Sequence, residues 1–157
     1  MTAAYRELFT GYQITDAAEI LTVTEELPNR DFSGLVSGIN ICYLSFCMHH
    51  FLPFFGVVDL IYEPDSSILG IGKLARLVDY RTRRFNIQEN VARELCEDLI
   101  TFGKAKDLSQ ELRPPIHACV IGAPKYDSFN VVSYSLGTCQ ETIRQQGNFK
   151  PSFKLIA

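Results

Sequence analysis

The sequence predicts an α+β domain in which an antiparallel sheet carries two helices on one face. Three observations lead there. Two β-rich runs, residues 35–46 and "PFFGVVDLIYEP", follow each other closely. Two apolar stripes at helical spacing come next, and two further apolar runs, "IHACVIGA" and "SFNVVSYSLG", close the order. A chain of 157 residues holds one core comfortably, and its 46% apolar and 21% charged content is that of an ordinary globular protein.

Taken in order, "AAYRELFTGY" reads as the last turns of a helix stopped by Gly11. "TDAAEILTVTE" fits a second short helix or a turn running into a strand. "ELPNRDFSG" gathers Pro, Asn, Asp, Ser and Gly, which marks a loop. The two long runs then predict an antiparallel pair with "CMHH" at one end. Leu74, Leu77, Val78 and Arg81 repeat at helical spacing, and Val91, Leu95 and Leu99 step by four in a second helix. "RRFNIQEN" is read as the short connection between them. Gly103 ends the second helix, and the charged stretch to Arg113 is read as a solvated loop.

A net charge of −3 gives no broad pull toward nucleic acid or an anionic membrane. Arg81, Arg83 and Arg84 lack interleaved aromatics beyond Phe85, so they predict a solvated or subunit-contact face. No segment has the ~18 apolar residues that span a bilayer. "MTAAYRELF" lacks the basic and apolar regions of a secretory signal. Five irregularly spaced cysteines do not suggest a disulfide framework, and a reducing, cytoplasmic setting is expected.

Every one of the three histidines falls in a Cys/His cluster. Cys47 and His50 are spaced to share one side of a tight turn, whereas His49 points elsewhere. His117 and Cys119 are two residues apart, so on a strand they face the same way. The economical assembly is Zn2+ held by Cys47, His50 and Cys119, with a fourth position open to water, the arrangement of catalytic rather than structural sites. His49 and His117 then remain as bases beside that water, whose pKa zinc lowers toward about 7. A lone C-x-x-H is common by chance, and buried cysteines are usually inert core. Cys42, Cys96 and Cys139 have no histidine nearby and read as packing residues. "FLPFFG" reads as an apolar backing packed behind the ligand turn.

"AYRELFTGY", "CMHHFLPFFG", "GKLARLVDY", "RRFNIQENVA" and "IHACV", in this order, resemble the GTP cyclohydrolase I family. The resemblance covers nearly the whole chain. It implies a single domain over 1–157, with a short N-terminal helix remnant at 2–11 and a core of the tunnelling fold over 33–140. It also implies homo-oligomeric rings, often stacked as a decamer, with active sites between subunits. By resemblance, Cys47, His50 and Cys119 are the zinc ligands and His49 and His117 the catalytic histidines. Gln88 and Glu89 match the pair at the guanine end of the pocket, where a carboxylate can accept two parallel N–H bonds. By itself, Glu89 is equally a first-turn acid favoured by the helix dipole. The implied reaction is hydrolytic opening of the guanine imidazole ring with formate release, then ribose rearrangement to dihydroneopterin triphosphate.

The departures from the family pattern cluster. Met48 stands where the family has glutamate, and Gly72-Lys73-Leu74 replaces Ser-Lys-Leu. "CVIGAPKYDS" lacks the arginine expected after His-x-Cys, and the basic N-terminal helix is almost absent. Lys73 and Arg76 survive as candidate phosphate-binding cations, with Lys125 as a weaker substitute. The expectation is a zinc-dependent cyclohydrolase acting on GTP. The alternatives are a specialised paralogue for a guanine or pterin derivative lacking the triphosphate, and a non-catalytic guanine- or pterin-binding ring protein.

Overall fold

The computed structural model describes residues 2–22, 24–26, 34–65, 67–113 and 132–136. In chain order these form α1 (Thr2–Leu8), 3-10 turns over Thr10–Tyr12 and Ala17–Glu19, β1 (Thr24–Glu26), β2 (Val36–Cys47) and β3 (Pro53–Pro64). Then follow β4 (Ser67–Leu69), α2 (Ile71–Thr82), β5 (Phe85–Asn86), α3 (Gln88–Thr101), β6 (Ala105–Arg113) and β7 (Val132–Leu136). Among the described residues the main sheet has the order β5-β2-β3-β6-β7, and β1 pairs separately with β4. All pairs are antiparallel except β2 with β5.

The two long runs form the hairpin the sequence predicts, with Phe46 opposite Pro53 and the "CMHH" segment at its tip. Alternation sets the layers: Tyr43, Ser45 and Cys47 of β2 and Val58, Leu60 and Tyr62 of β3 turn inward and are buried. Leu74, Leu77 and Val78 of α2 and Val91, Leu95 and Leu99 of α3 are fully buried above them. α2 packs on β2, and α3 on β6 and β7. An irregularity between Gly38 and Ile41 resets the pairing, with Asn40 at φ 56° donating its N–H to Asp59 Oδ1 at 2.6 Å.

Some expectations change. The charged stretch after Gly103 is a strand, not a solvated loop. β6 lies between β3 and β7, with Ala105 and Leu108 buried. Backbone pairing on both edges outweighs its polar composition. β7 pairs with β6 along one edge; "IHACVIGA", the partner expected from sequence, lies outside the described residues, as do residues 27–33 of "ELPNRDFSG" and Cys139. "RRFNIQEN" is not a plain connection either: Phe85 and Asn86 pair with Phe46 and Cys47, and Gln88 already opens α3.

The arginines of that segment make internal clamps rather than a purely solvated face. Arg84 Nε donates to the Tyr80 carbonyl at 2.9 Å, and its Nη2 donates to the Gly11 carbonyl. Its guanidinium lies over the Tyr80 and Tyr12 rings. Arg83 donates to Asp79 at 3.0 Å and to the Glu7 carbonyl at 3.4 Å. α1 itself ends at Leu8, so Gly11 is not its stop. Gly11 is required by close approach: a Cβ there would sit 2.6 Å from the Tyr80 carbonyl oxygen and 2.7 Å from that of Arg83. Tyr12 completes the clamp, its hydroxyl accepting the Phe85 N–H at 3.0 Å.

Candidate metal and substrate site

The hairpin tip is a tight, fully specified turn. Phe51 N–H bonds back to the Cys47 carbonyl, and Cys47 N–H to the Leu52 carbonyl, both at 2.8 Å. Closing it places Phe51 at φ 58°, a left-handed conformation that costs a non-glycine residue about 1–2 kcal/mol. Its ring, 70% exposed, sits edge-on to Phe85 at 5.2 Å. Behind the turn Phe9, Phe46 and Phe85 form one aromatic cluster, with centroids 4.6–5.9 Å apart. The backing expected from "FLPFFG" is thus only partly that segment: Phe54 packs inward against Tyr43, while Phe55 stays 49% exposed.

Within this frame Cys47, 6% exposed, presents Sγ 3.4 Å from His50 Nδ1. Zinc–sulfur and zinc–nitrogen bonds of about 2.3 and 2.0–2.1 Å, at a tetrahedral angle, separate the two donors by about 3.5 Å. The pair therefore fits a zinc ion in both chemistry and spacing. His49 is exposed and turned aside, its ring centroid 6.2 Å from that of His50 at an interplanar angle of 73°. Met48 is exposed. The remaining predicted members, Cys119 as ligand and His117 as base, lie outside the described residues, as does Lys125. Among the described residues no group of three His, Cys, Asp or Glu side chains converges.

The turn is tied to the helix layer through β5. Cys47 is in register with Asn86, and Met48 N–H donates to the Asn86 carbonyl at 3.2 Å. Ile87 caps α3 in an extended conformation without a side-chain cap bond, so Gln88 and Glu89 open the helix just past the ligand turn. Gln88 Nε2 is buried with no hydrogen-bond partner among the described residues, and Glu89 is exposed in the first turn. A buried, unpartnered amide N–H is costly, and a bound acceptor removes that cost.

Lys73 and Arg76 lie elsewhere. A Cβ on Gly38 would meet the Leu74 side chain at 3.1 Å, which places the start of α2 beside the beginning of β2. Cys47 ends that strand at the other end, beside the residues that follow α2, where Phe46 N–H donates to the Arg84 carbonyl at 3.2 Å. Lys73 Nζ donates to the Ile20 carbonyl at 2.6 Å, and Arg76 is exposed. One chain thus brings Cys47, His50, Gln88 and Glu89 to one end of the sheet, while Lys73 lies at the start of α2 beside the other end and Arg76 further along that helix.

The family profile described as GTP cyclohydrolase I matches residues 1–152. The chain belongs to the GTP cyclohydrolase I family. GTP cyclohydrolase 1 of Rickettsia rickettsii (strain Sheila Smith) is 42% identical over 123 residues, covering 74% of this chain and 60% of that protein. GTP cyclohydrolase 1 of Rickettsia prowazekii (strain Madrid E) is 44% identical over 96 residues, covering 61% and 50%. The chain spans about 60% of the length of the Rickettsia rickettsii relative it matches. Among solved structures, the archaeosine synthase QueF-Like in the apo form matches with a TM-score of 0.51 at 20% identity, over 66% of this chain and 93% of that one. The fold is accordingly the α+β tunnelling fold.

Sequence reasoning about this family member missed the polar joint beneath the site. Arg81 of α2 meets Asp98 and Glu94 of α3, and Glu94 meets Asn86. A signal was present: Arg81 continues the α2 stripe of Leu74, Leu77 and Val78, and Asp98 lies beside Leu95 and Leu99 on the buried face of α3. A charge on each of two inward stripes requires an opposite partner.

Proposed function

We propose that the chain is a zinc-dependent cyclohydrolase that opens the imidazole ring of a guanine-type substrate, GTP first, with formate release. The observation that carries the reading is the Cys47 Sγ to His50 Nδ1 approach of 3.4 Å, on a turn bonded to the strand that leads into Gln88. Zinc, when bound, supplies a Lewis acid that readies water for attack at neutral pH. Cys47 and His50 hold it, with Cys119 as the proposed third ligand.

The other residues take their roles from chemistry and position. Gln88 Nε2, buried and without a partner among the described residues, suits a carbonyl acceptor such as guanine O6. Glu89 suits the adjacent ring and amino N–H groups, which its carboxylate accepts in parallel. His49 is exposed beside His50 and suits proton relay at the opened ring, and His117 is the proposed first proton donor. The aromatic cluster behind the turn keeps water from its rear.

Lys73 and Arg76 are proposed to reach a substrate's phosphates from a neighbouring copy, since their own chain seats the start of α2 beside the far end of β2. That separation supports a ring in which one copy's ligand turn meets the next copy's α2. A cytoplasmic enzyme fits the family reading, and among the described residues no helix is long and apolar enough to cross a membrane.

A second reading has its own support: Lys73 already satisfies the Ile20 carbonyl, which leaves Arg76 as the more available cation. This favours a substrate with fewer phosphates. Formate release from GTP, GMP, guanosine and guanine, with zinc content measured on the same samples, separates the two. Turnover of GTP that exceeds that of GMP supports the main reading; preference for GMP or guanosine replaces it with the second. Cys47→Ala is expected to abolish both zinc content and formate release. Retention of full zinc by that variant would sink the metal assignment.

A further inference from the structure

We propose that Asn86 is a positioning residue that fixes the Cys47–His50 turn in register with the Gln88–Glu89 start of α3. The proposal rests on the reading of those residues as metal- and base-binding. Asn86 is 6% exposed, and its backbone and side chain serve different elements. Its carbonyl accepts the Met48 N–H at 3.2 Å, inside the ligand turn. Its Oδ1 accepts the Ile87 N–H at 2.9 Å, directly before α3. Its Nδ2 donates to the Arg81 carbonyl at 3.4 Å, near the end of α2, and to Glu94 Oε2 at 3.3 Å, on α3.

The residue type follows from that set. The position needs one acceptor and two donors in a compact planar group, which is a primary amide. Leucine would fill the space and leave the Ile87 N–H unpaired. Aspartate keeps the acceptor, loses both donors and sets a second negative charge against Glu94. The amide is itself held on a charged frame, because Glu94 Oε2 also accepts from Arg81 Nη1 at 3.5 Å and Asp98 grips Arg81 from beyond. The ligand turn, a surface hairpin tip with a left-handed residue, is thereby referred to both helices through one residue, its carbonyl on the turn and its amide on the helices. Such groups behind a metal-holding turn orient the ligands without touching the ion.

The test uses Co2+ alone as probe, read by its visible d–d and thiolate-to-cobalt bands, together with kcat and KM for GTP. Asn86→Asp is expected to weaken Co2+ binding by about 10- to 100-fold and to alter the band positions. It is also expected to raise KM, because the start of α3 shifts against the turn. Pairing it with Glu94→Gln reverses the direction of the hydrogen bond, the new amide donating to the new carboxylate. That double substitution is expected to recover most of the lost Co2+ affinity.

Where Asn86→Asp does not fold, by circular dichroism, Glu94→Ala breaks the same Asn86–Glu94 hydrogen bond from its acceptor side with Asn86 in place and is read identically. Unchanged Co2+ affinity and bands, with only a lower melting temperature, would overturn the proposal. So would failure of the double substitution to recover affinity. A parent protein that binds Co2+ through thiolate but releases no formate from any guanine compound sinks the functional reading, and the cobalt readout still decides the role of Asn86.

Discussion

Arg81 grips Asp98 with two parallel bonds, Nε to Oδ2 at 2.6 Å and Nη2 to Oδ1 at 2.7 Å, and so locks α2 to α3. Burial pulls the Arg81 pKa down, but the hydrogen bond and charge of Asp98, with Glu94 behind it, raise it overall. Both side chains are largely out of water, at 19% and 5% exposure. Removing one partner strands the other, so Asp98→Ala is expected to cost about 3 kcal/mol in urea unfolding. Replacing both, with Arg81→Met and Asp98→Leu, is expected to return stability to within about 1 kcal/mol of the parent. A single substitution that costs nothing would show the pair is not buried in solution.

Gly11 carries the attachment of the N-terminal segment. Its N–H donates to the Arg83 carbonyl at 3.1 Å, and the two backbone oxygens that a Cβ would strike cannot swing away as a side chain could. Gly11→Ala is expected to destabilise by about 2 kcal/mol, an overpacking cost. Loss of the dock also exposes the 2–12 segment, so limited trypsin digestion should cut at Arg6 faster in the variant. Equal cleavage rates would mean the segment is not clamped by this contact.

The legible parts of the molecule are those where one period dominates. β2 and β3 were readable almost to the residue because Val, Ile, Tyr and Phe fill them between Gly and Pro punctuation. α2 and α3 were readable from unbroken apolar stripes. β6 was not, since "AKDLSQELR" shows neither a long apolar run nor turn chemistry, and only its two neighbours make it a strand. β5 is only Phe85–Asn86, too short for periodicity to register. At the site, Cys47 with His50 was visible from spacing. Asn86 was invisible, because an asparagine between Phe85 and Ile87 reads as a turn residue until the Met48 N–H and Glu94 appear beside it. The separation of Lys73 from Cys47 was equally hidden, being a property of which end of β2 each helix terminus meets.

Cys96 gives a prediction about alkaline pH. Burial, with the negative charge of Glu97 adding to it, pushes its thiol up to about 12, and Sγ lies 3.9 Å from the Tyr134 carbonyl oxygen. The folded chain therefore keeps a proton that the unfolded chain releases near pH 9. Stability from this group is complete below that value and is lost as pH rises toward about 12. Between pH 8 and pH 10 the parent is expected to lose on the order of 1 kcal/mol more than Cys96→Ala, read by urea unfolding. In the folded protein Cys42, which is exposed, should react with a thiol reagent well before Cys96. Parallel stability curves for parent and variant would show that Cys96 is not held protonated by the fold.

The opposite placement of Lys73 and Cys47 along β2 makes the between-copies arrangement testable without any structure of an assembly. Lys73→Ala damages only the α2 end of a chain, and Cys47→Ala only its ligand turn; each variant alone is expected to be inactive on GTP. If every site took both residues from one chain, a mixture would contain no intact site and would stay inactive. If each site takes its turn from one copy and its cations from the next, a head-to-tail ring co-assembled from equal amounts of both variants contains intact pairs. Random assortment makes about a quarter of the sites intact, so co-expressed variants should recover about a quarter of parental formate release. Recovery requires joint assembly, so mixing the separately purified and stably assembled proteins should give none. Continued inactivity of co-expressed variants that co-purify in one particle would mean that both residues serve a site within one chain, and would overturn the between-copies arrangement.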